Sequence, residues 1–235
     1  LVSLDASQIE MRVLALWSGD TEMLRILREG GDFHTATSLL LFGVPDGEPR
    51  YIAKTINFAV AYGGTWRVLL REINAAFQDG KVQNSITEDE AKYFERLYFQ
   101  KFPQLKQKIR EQHIVAKESG MVYNLLGRPR KLYGFDGSFM EVEEAKKQSV
   151  NTVIQGSAAD MIKKMMIGLA PQIAKMGGKL SMQVHDEILF WLPIGEEDSV
   201  KDLERVGTDI LSAIFPGGLQ FPVNAKVLES YGDKE

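Results

Sequence analysis

The chain of 235 residues contains no cysteine, which excludes disulfide bonds and metal sites built from thiolates. Any metal ion must therefore be bound by oxygen atoms or by histidine. The sequence also lacks an apolar run long enough to span a bilayer and lacks a signal-peptide pattern, so we expect no association with a membrane. A hydrophobic content of 44% is enough for a sizeable core, arranged as one large domain or two subdomains.

An excess of positive charge is also missing, since the formal net charge is −4. Nucleic-acid-binding proteins usually present a basic surface, so the overall charge argues weakly against that class. The distribution of charge is more informative. Lysine and arginine are concentrated between Lys101 and Lys131, where the only acidic residues are Glu111 and Glu118. We therefore expect a local basic surface in this part of the chain.

Residues 49–64 predict a helix with well-defined ends, because a proline suits the first turn and paired glycines suit the exit. A spacing of four residues keeps side chains on one broad helix face, and two cations and two aromatic residues follow this spacing: Arg50, Lys54, Phe58 and Tyr62. Two cations one turn apart match a polyphosphate chain, and an aromatic ring can stack on a base. The pattern indicates a nucleoside triphosphate site. The alternative is a solvated edge at the cations with both rings in the core.

Hydrophobic periodicity and capping signals predict many helices and few strands in the rest of the chain. Capping boxes are expected at Ser7 with Glu10 and at Thr87 with Glu90. Helices are predicted at 8–17, 21–29, from Asp32 onward, and at 66–77, 88–102, 103–119, 141–153, 157–176 and 199–214. Strands are predicted at 1–4 and 222–228, with hairpins formed by 121–126 and 130–133 and by 179–184 and 188–192. Gly156 is expected to interrupt a helix, and Pro171 to kink or break one.

Three stretches resemble the motifs of a known family. Residues 50–63, Arg-x-x-x-Lys-Thr-Ile-Asn-Phe-x-x-x-Tyr-Gly, resemble motif B of the family A, DNA polymerase I-like DNA polymerases. Residues 4–12, Leu-Asp-Ala-Ser-Gln-Ile-Glu-Met-Arg, resemble motif A, and residues 183–187, Gln-Val-His-Asp-Glu, resemble motif C. The motifs occur in family order, and the similarity covers nearly the whole chain.

The resemblance implies an α+β fold, in which an antiparallel palm sheet carries the catalytic carboxylates and a mostly helical fingers subdomain is inserted. The predicted divisions are palm at 1–20, fingers and the return to the palm at 21–131, and palm at 132–235. We expect the thumb, the upstream palm strands and any exonuclease domain of the parent protein to be absent. Strand 1–4 would then be an exposed edge.

The implied activity is template-directed DNA synthesis, with primer-template DNA, deoxyribonucleoside triphosphates and the missing N-terminal region as partners. Two divalent cations about 4 Å apart can activate a 3′-hydroxyl and neutralise the leaving pyrophosphate. The resemblance implies two Mg²⁺ ions, with Mn²⁺ as a substitute, bound by Asp5, Asp186 and the backbone carbonyl of Ala6. Glu187 would be a weaker metal neighbour or an orienting group. Without the resemblance, Asp5 is a helix cap and Asp186 a turn residue.

The resemblance also assigns residues to the incoming nucleotide. Lys54 would act in both nucleotide binding and catalysis, and the other nucleotide-binding positions are Gln8, Glu10, His34, Arg50, Phe58 and Tyr62. Glu10 would be a steric gate that hydrogen-bonds Tyr62 and excludes a 2′-hydroxyl, which favours deoxyribonucleotides. A phenylalanine at position 58 implies poor use of dideoxynucleotides. The alternative interpretations are a capping residue for Glu10 and a packed helix residue for His34.

Lys147, Asn151 and Gln155 recur at spacing four, and the resemblance implies that they contact the duplex minor groove near the primer terminus. His185 would touch that terminus, with a backbone-bonded turn histidine as the alternative. Two positions depart from the family pattern. Ala6 replaces the commonest tyrosine of motif A. Lys147 replaces an arginine and cannot make the forked contact of a guanidinium.

Two other functions remain open from the sequence. A single-subunit RNA polymerase shares a helix from lysine to Tyr-Gly and a His-Asp turn, although Glu10 and its Ser-Gln-Ile-Glu context favour a DNA polymerase. A non-catalytic nucleic-acid-binding fragment is the second alternative. The resemblance implies a cytoplasmic location, in a bacterium or a phage-infected host, with an organelle as the alternative.

Overall fold

The computed structural model describes residues 1–196, 199–230 and 232, which form nine helices and six strands. The strands are β1 (Val2–Ala6), β2 (Met121–Tyr123), β3 (Pro129–Lys131), β4 (Lys179–Val184), β5 (Glu187–Trp191) and β6 (Val223–Val227). The helices are α1 (Ile9–Ser18), α2 (Thr21–Arg28), α3 (Phe33–Phe42), α4 (Gly47–Ala61), α5 (Trp66–Gln78), α6 (Glu88–Lys101), α7 (Pro103–Ser119), α8 (Phe139–Lys175) and α9 (Val200–Ser212). The α+β prediction is confirmed.

The chain divides into two compact units, and the divisions fall inside two helices. The first unit comprises Leu1–Ile9 and Ser157–Glu235, and the second comprises Glu10–Gly156. The chain therefore passes from the first unit to the second within α1 and returns within α8. The palm and fingers boundaries drawn from the sequence remain a prediction.

The first unit contains a four-stranded antiparallel sheet with the strand order β4-β5-β1-β6. On one face of β1, Val2 and Leu4 are buried and lie opposite Phe190 and Ile188 of β5. The other face carries Ser3 and Asp5, because successive side chains of a strand alternate. The apolar alternation of the strand thus fixes which face Asp5 occupies.

The position of β1 corrects one sequence-based expectation. The strand was expected to form an exposed edge, but it pairs with β5 on one side and with β6 on the other. The prediction was wrong because the C-terminal strand β6 returns to pair with β1, and sequence patterns do not specify strand partners. On edge strand β6, the backbone N–H groups of Val223 and Ala225 donate to Thr208 and Glu204 of α9. Such bonds protect a sheet edge from further pairing.

The second unit is mostly helical and contains the two-stranded sheet β2-β3. Three buried rings pack together in its core: Phe33 and Phe102 lie 5.5 Å apart, and Tyr98 and Phe102 lie 4.8 Å apart, between ring centroids. Buried Asp20 caps α2 and also accepts hydrogen bonds from the backbone N–H groups at the start of α7. The hairpin predicted near Gly127 is present, with shorter strands than expected.

Helix α8 runs without interruption from Phe139 to Lys175, so the predicted break at Gly156 and the predicted break at Pro171 were both wrong. Gly156 is a packing position, since its carbonyl oxygen accepts hydrogen bonds from Asn124 and Arg128. Pro171 is exposed, and the residues two positions before and after it are fully buried. Burial of this helix face outweighs the one backbone hydrogen bond that a proline removes.

The helix predicted at 49–64 is confirmed as α4, which begins two residues earlier, at Gly47. Gly63 follows its end with φ +70°, and an added Cβ atom would lie 2.8 Å from the backbone oxygen of Lys147. Position 63 therefore requires glycine for its conformation and for its close approach to α8. Helix α1 begins at Ile9, one residue later than predicted, after Gln8 with φ +51°. Across the described ranges, no helix combines the length and the apolar character needed to cross a membrane.

Candidate active site

A row of three polar residues crosses the sheet of the first unit. Asp5 of β1 lies directly opposite Glu187 of β5 and directly opposite Asn224 of β6. Residues opposed in this way project from the same sheet face, with Cβ atoms about 5 Å apart. The registers thus place two carboxylates and one amide side by side, and the sequence predicted only the carboxylates.

The hairpin between β4 and β5 brings Asp186 to the same place. The backbone N–H of Ala6 donates to the backbone oxygen of Asp186 over 3.0 Å, which ties the hairpin turn to the end of β1. His185, the other turn residue, is exposed and has φ +54°. A positive φ is what a two-residue hairpin turn requires, and histidine adopts it more readily than most residues. The structure therefore brings together the two predicted metal ligands, Asp5 and Asp186.

Ser3 is a member of the site that the sequence reasoning missed. Its hydroxyl donates to the carboxylate of Glu187, and both side chains are buried. Ser3 lies two residues before Asp5 on β1. Side chains two residues apart on a strand share one face, so this spacing could have identified Ser3 from the sequence. The contact fixes one oxygen of Glu187, which fits an orienting group better than a freely exchanging metal ligand.

These residues line a pocket of about 320 Å³, together with one cation and one apolar residue: Ser3, Asp5, Glu187, Asn224, Lys226 and Leu228. Within the described part of the chain, no group of three or more histidine, cysteine, aspartate or glutamate side chains could hold a metal ion. Mg²⁺ is commonly bound by one or two carboxylates plus water and substrate phosphates. The oxygen donors of Asp5 and Asp186 fit this mode of binding.

In the second unit, the predicted face of α4 is confirmed as a continuous row of side chains. The Lys54 amine lies 5.8 Å from the centroid of the Phe58 ring. The Phe58 and Tyr62 rings are stacked with centroids 5.8 Å apart. The His34 ring of α3 lies 5.4 Å from Phe58. The structure thus places four of the predicted nucleotide-binding side chains next to one another.

Arg50 begins this row and is oriented by α3. Its Nη2 atom lies 3.1 Å from each carboxylate oxygen of Asp32, and its Nε donates to the Thr35 hydroxyl over 2.9 Å. Asp32 also caps α3 through the backbone N–H of Thr35. Burial would raise the pKa of Asp32, but the hydrogen bonds from Thr35 and the charge of Arg50 lower it below its usual value. The guanidinium is therefore held by an ionised carboxylate.

His34 is buried. Burial lowers the pKa of His34 from 6.5 to about 4, and the positive charges of Lys54 and Arg50 lower it against the opposing effect of Asp32. Its ring nitrogen Nδ1 lies 3.0 Å from the Nδ2 atom of buried Asn57. The burial of His34 agrees with the alternative interpretation, that this histidine is a packed helix residue. Its assignment to the triphosphate remains a prediction.

A second pocket, of about 350 Å³, lies beside the row on α4. It is lined by residues of α4, α5 and α8: Thr55, Phe58, Ala59, Tyr62, Gly64, Val68, Arg71, Glu72 and Lys147. Lys147, predicted to contact DNA, thus contributes to a pocket with Phe58 and Tyr62. Its amine lies 3.9 Å from Glu144.

A third pocket, of about 340 Å³, contains the other two predicted minor-groove residues, Asn151 and Gln155. The Oδ1 atom of Asn151 is buried and has no hydrogen-bond partner among the described residues. Arg128 and Arg130 of the β2-β3 hairpin line the same pocket. Arg130 donates to Thr152 and Gln148, and Arg128 to Gly156. The sequence reasoning counted these arginines only as part of the basic stretch.

Two predicted nucleotide-binding residues lie at the start of α1. Gln8 directly precedes the helix, and Glu10 is half-buried in its first turn. The steric-gate role of Glu10 and its contact with Tyr62 remain predictions.

Comparison with known proteins assigns the chain to a family. Residues 1–233 match the family model described as DNA polymerase family A. The chain belongs to this family, as its three motifs predicted.

The chain is similar to two bacterial DNA polymerases. It is 34% identical to the thermostable DNA polymerase I of Thermus aquaticus over an alignment of 236 positions, which covers 98% of this chain and 27% of that protein. It is 35% identical to DNA polymerase I of Lactococcus lactis subsp. lactis over an alignment of 213 positions, which covers 87% of this chain and 23% of that protein. The chain thus spans about a quarter of the length of these relatives.

A solved structure has a similar fold. The POL domain of Pol1 from M. smegmatis, in complex with DNA primer-template and dNTP, superimposes with a TM-score of 0.80 at 30% sequence identity. The similarity covers 95% of this chain and 38% of that one.

Proposed function

We propose that this chain carries out template-directed DNA synthesis, adding a deoxyribonucleoside triphosphate to the 3′-hydroxyl of a primer. Its family membership, its similarity to proteins named DNA polymerase I and its similarity to a structure with DNA primer-template and dNTP support the proposal. The observation that carries it is the convergence of Asp5 and Asp186 where the β4-β5 hairpin meets the end of β1.

Asp5 and Asp186 would hold two Mg²⁺ ions, for which Mn²⁺ can substitute, and the backbone carbonyl of Ala6 would add a further ligand. When bound, such ions lower the pKa of the attacking hydroxyl and neutralise the leaving pyrophosphate. Glu187, whose carboxylate accepts a hydrogen bond from the Ser3 hydroxyl, would act as an orienting group opposite Asp5. A bound cation would offset the repulsion between neighbouring carboxylates, so metal and nucleotide binding would be coupled.

The nucleotide would bind along α4. Arg50, oriented by Asp32 and Thr35, and exposed Lys54 would bind the triphosphate, because fixed cations one turn apart match neighbouring phosphates. Phe58 and Tyr62 would pack against the sugar and the base. Glu10 would exclude a 2′-hydroxyl by its volume. DNA would contact the pocket that contains Arg128, Arg130, Asn151 and Gln155, where the arginines supply phosphate contacts and the amides reach base edges.

Primer extension tests the proposal. The purified chain is given a primed template, Mg²⁺ and either the four dNTPs or the four rNTPs, with EDTA as the control. Template-directed extension with dNTPs that requires Mg²⁺ supports the proposal. Preferential extension with rNTPs would indicate an RNA polymerase. Tight primer-template binding without any extension would indicate a non-catalytic binding fragment.

A further inference from the structure

We propose that the outer face of the β2-β3 hairpin, formed by Tyr123, Lys131 and Tyr133, binds single-stranded DNA, in the form of the unpaired 5′ part of a template. The inference rests on the proposed function for the identity of this ligand. None of the three residues belongs to the nucleotide site or to the metal site described above.

The two faces of the hairpin differ because side chains alternate along each strand. Val122 and Leu132 share one face and are buried. Arg130 lies on the same face, and its guanidinium donates to Thr152 and Gln148 of α8. This inner face is therefore the one that packs toward α8. The residues between these positions must project from the opposite, outer face.

The outer face is aromatic and exposed. Tyr123 is 58% exposed and Tyr133 is 73% exposed. Exposed Lys131 is the diagonal neighbour of Tyr123, because Tyr123 pairs with Pro129, and diagonal neighbours are about 7–8 Å apart. The Lys131 amine lies 5.2 Å from the centroid of the Tyr133 ring. The outer face is thus a row in which one cation lies between two aromatic rings.

Charge and ring chemistry together select the ligand. Residues 119–135 contain the cations Arg128, Arg130 and Lys131 and no acidic residue, so this segment is complementary to a polyanion. Every base offers a flat face on which a tyrosine ring can stack, and a phosphate lies between successive bases of a strand. A ring, a cation and a ring in a row match a base, a phosphate and a base. In a duplex the base faces are covered by their neighbours, so the row selects an unpaired strand.

The hairpin would then contact DNA on both of its faces. On the inner side, Arg128 and Arg130 line the pocket proposed above for the duplex. The outer face lies on the other side of the same two short strands, where the unpaired continuation of the template would bind. A hairpin with these two faces would distinguish duplex from single strand by stacking and not by sequence.

Oligonucleotide binding tests the proposal without any nucleotide addition. Fluorescence anisotropy at low salt measures the affinity of the complete chain for labelled oligo(dT) and for a blunt duplex. Tyr123→Ala and Tyr133→Ala should each weaken oligo(dT) binding by about fivefold or more, since one base stack is lost, and should leave duplex binding unchanged. Tyr133→Phe keeps the ring and should bind oligo(dT) like the wild type.

The matched control is Tyr93→Ala, which should leave oligo(dT) binding unchanged. Tyr93 is 48% exposed in the same unit, and the Arg96 guanidinium lies 5.5 Å from the centroid of its ring. It therefore resembles Tyr133 in exposure and in its neighbouring cation, but it lies on α6. Lys131→Met tests the cation, and it should reduce the slope of log Kd for oligo(dT) against log salt by about 0.7.

Three results would overturn the proposal. They are unchanged oligo(dT) affinity in both tyrosine-to-alanine variants, an equal loss of affinity for the blunt duplex, and tighter binding of oligo(rU) than of oligo(dT) by the wild type. Primer extension is measured separately. Absence of extension together with the expected oligo(dT) results would count against the proposed function and not against this surface.

Discussion

Sugar selection is proposed to depend on a single side chain, Glu10. Replacing Glu10 by alanine empties the space where a 2′-hydroxyl would lie, so the kcat/KM for ribonucleotides should rise about a hundredfold relative to that for deoxyribonucleotides. Glu10→Gln keeps most of the volume and serves as the control, for which we expect a much smaller change. The measurement is the ratio of kcat/KM for the two sugars. An unchanged ratio in the alanine variant would leave Glu10 as a helix residue only.

Lys54 is exposed on the ligand-facing side of α4, and we predict that Lys54→Ala weakens nucleotide binding and slows nucleotide addition. The loss should be at least about tenfold in dNTP affinity, because a charge-assisted contact to phosphate is removed. Lys81→Ala is the control, since Lys81 is an exposed cation of the same unit that pairs with Asp79. Titrations of dNTP and of primer-template measure both affinities. A variant that lost only DNA affinity would contradict the assignment of α4 to the triphosphate.

Individual site residues were predictable where a motif or a spacing marked them. Asp5, Asp186 and the row on α4 were found in this way, and the structure brings the members of each set together. Ser3 and Asn224 were not found, because their places in the site come from partners that lie far away in the sequence. Only the β1-β5 and β1-β6 registers reveal them.

Among the secondary-structure elements, the end of α4 shows why a helix stops where it does. Gly63 has a left-handed conformation and touches the backbone of α8 at Lys147. Gly43 ends α3 with a similar φ, but nothing lies within 4 Å of its added Cβ atom. We therefore predict that Gly43→Ala lowers the free energy of unfolding by about 1 kcal/mol. Gly63→Ala should lower it by at least about 3 kcal/mol, since a clash with backbone adds to the strain.

Urea unfolding of the two glycine variants and the wild type measures these changes. Because both positions are in the second unit, the same transition reports on both. Equal losses in the free energy of unfolding would show that the left-handed conformation alone accounts for the cost at position 63, without a contribution from contact with α8.

Most elements were predictable from periodicity and caps. The capping box at Thr87 and Glu90 is present, and α7 has the predicted bounds. The continuity of α8 was not predictable, because glycine and proline signals are local and the buried contacts that override them are tertiary. The order of the four-stranded sheet was also not predictable, since the pairing of β1 with β6 joins the two ends of the chain.

For the whole molecule, the net charge of −4 limits the electrostatic attraction to DNA. We predict weak binding of primer-template by this chain that falls steeply as salt rises, because phosphate contacts provide most of the non-specific affinity. Binding should depend on the Arg128 and Arg130 hairpin. Arg130→Gln should reduce the slope of log Kd against log salt by about one. The control is Arg25→Gln, whose guanidinium pairs with Glu22 and Glu29 outside the three pockets described above. An unchanged slope for Arg130→Gln would remove this hairpin from the DNA surface.

Asp5 and Asp186 together are proposed to form the catalytic centre for nucleotide addition, and single-nucleotide addition to a primed template tests this assignment. The experiment compares the wild-type chain with Asp5→Asn and Asp186→Asn in the presence of Mg²⁺, with primer-template binding measured in the same samples. Each variant keeps the shape of the side chain but loses a metal-binding charge. We expect the rate of addition to fall by at least about a thousandfold in both variants, while DNA binding is unchanged. Addition at a near-normal rate by either variant would contradict it.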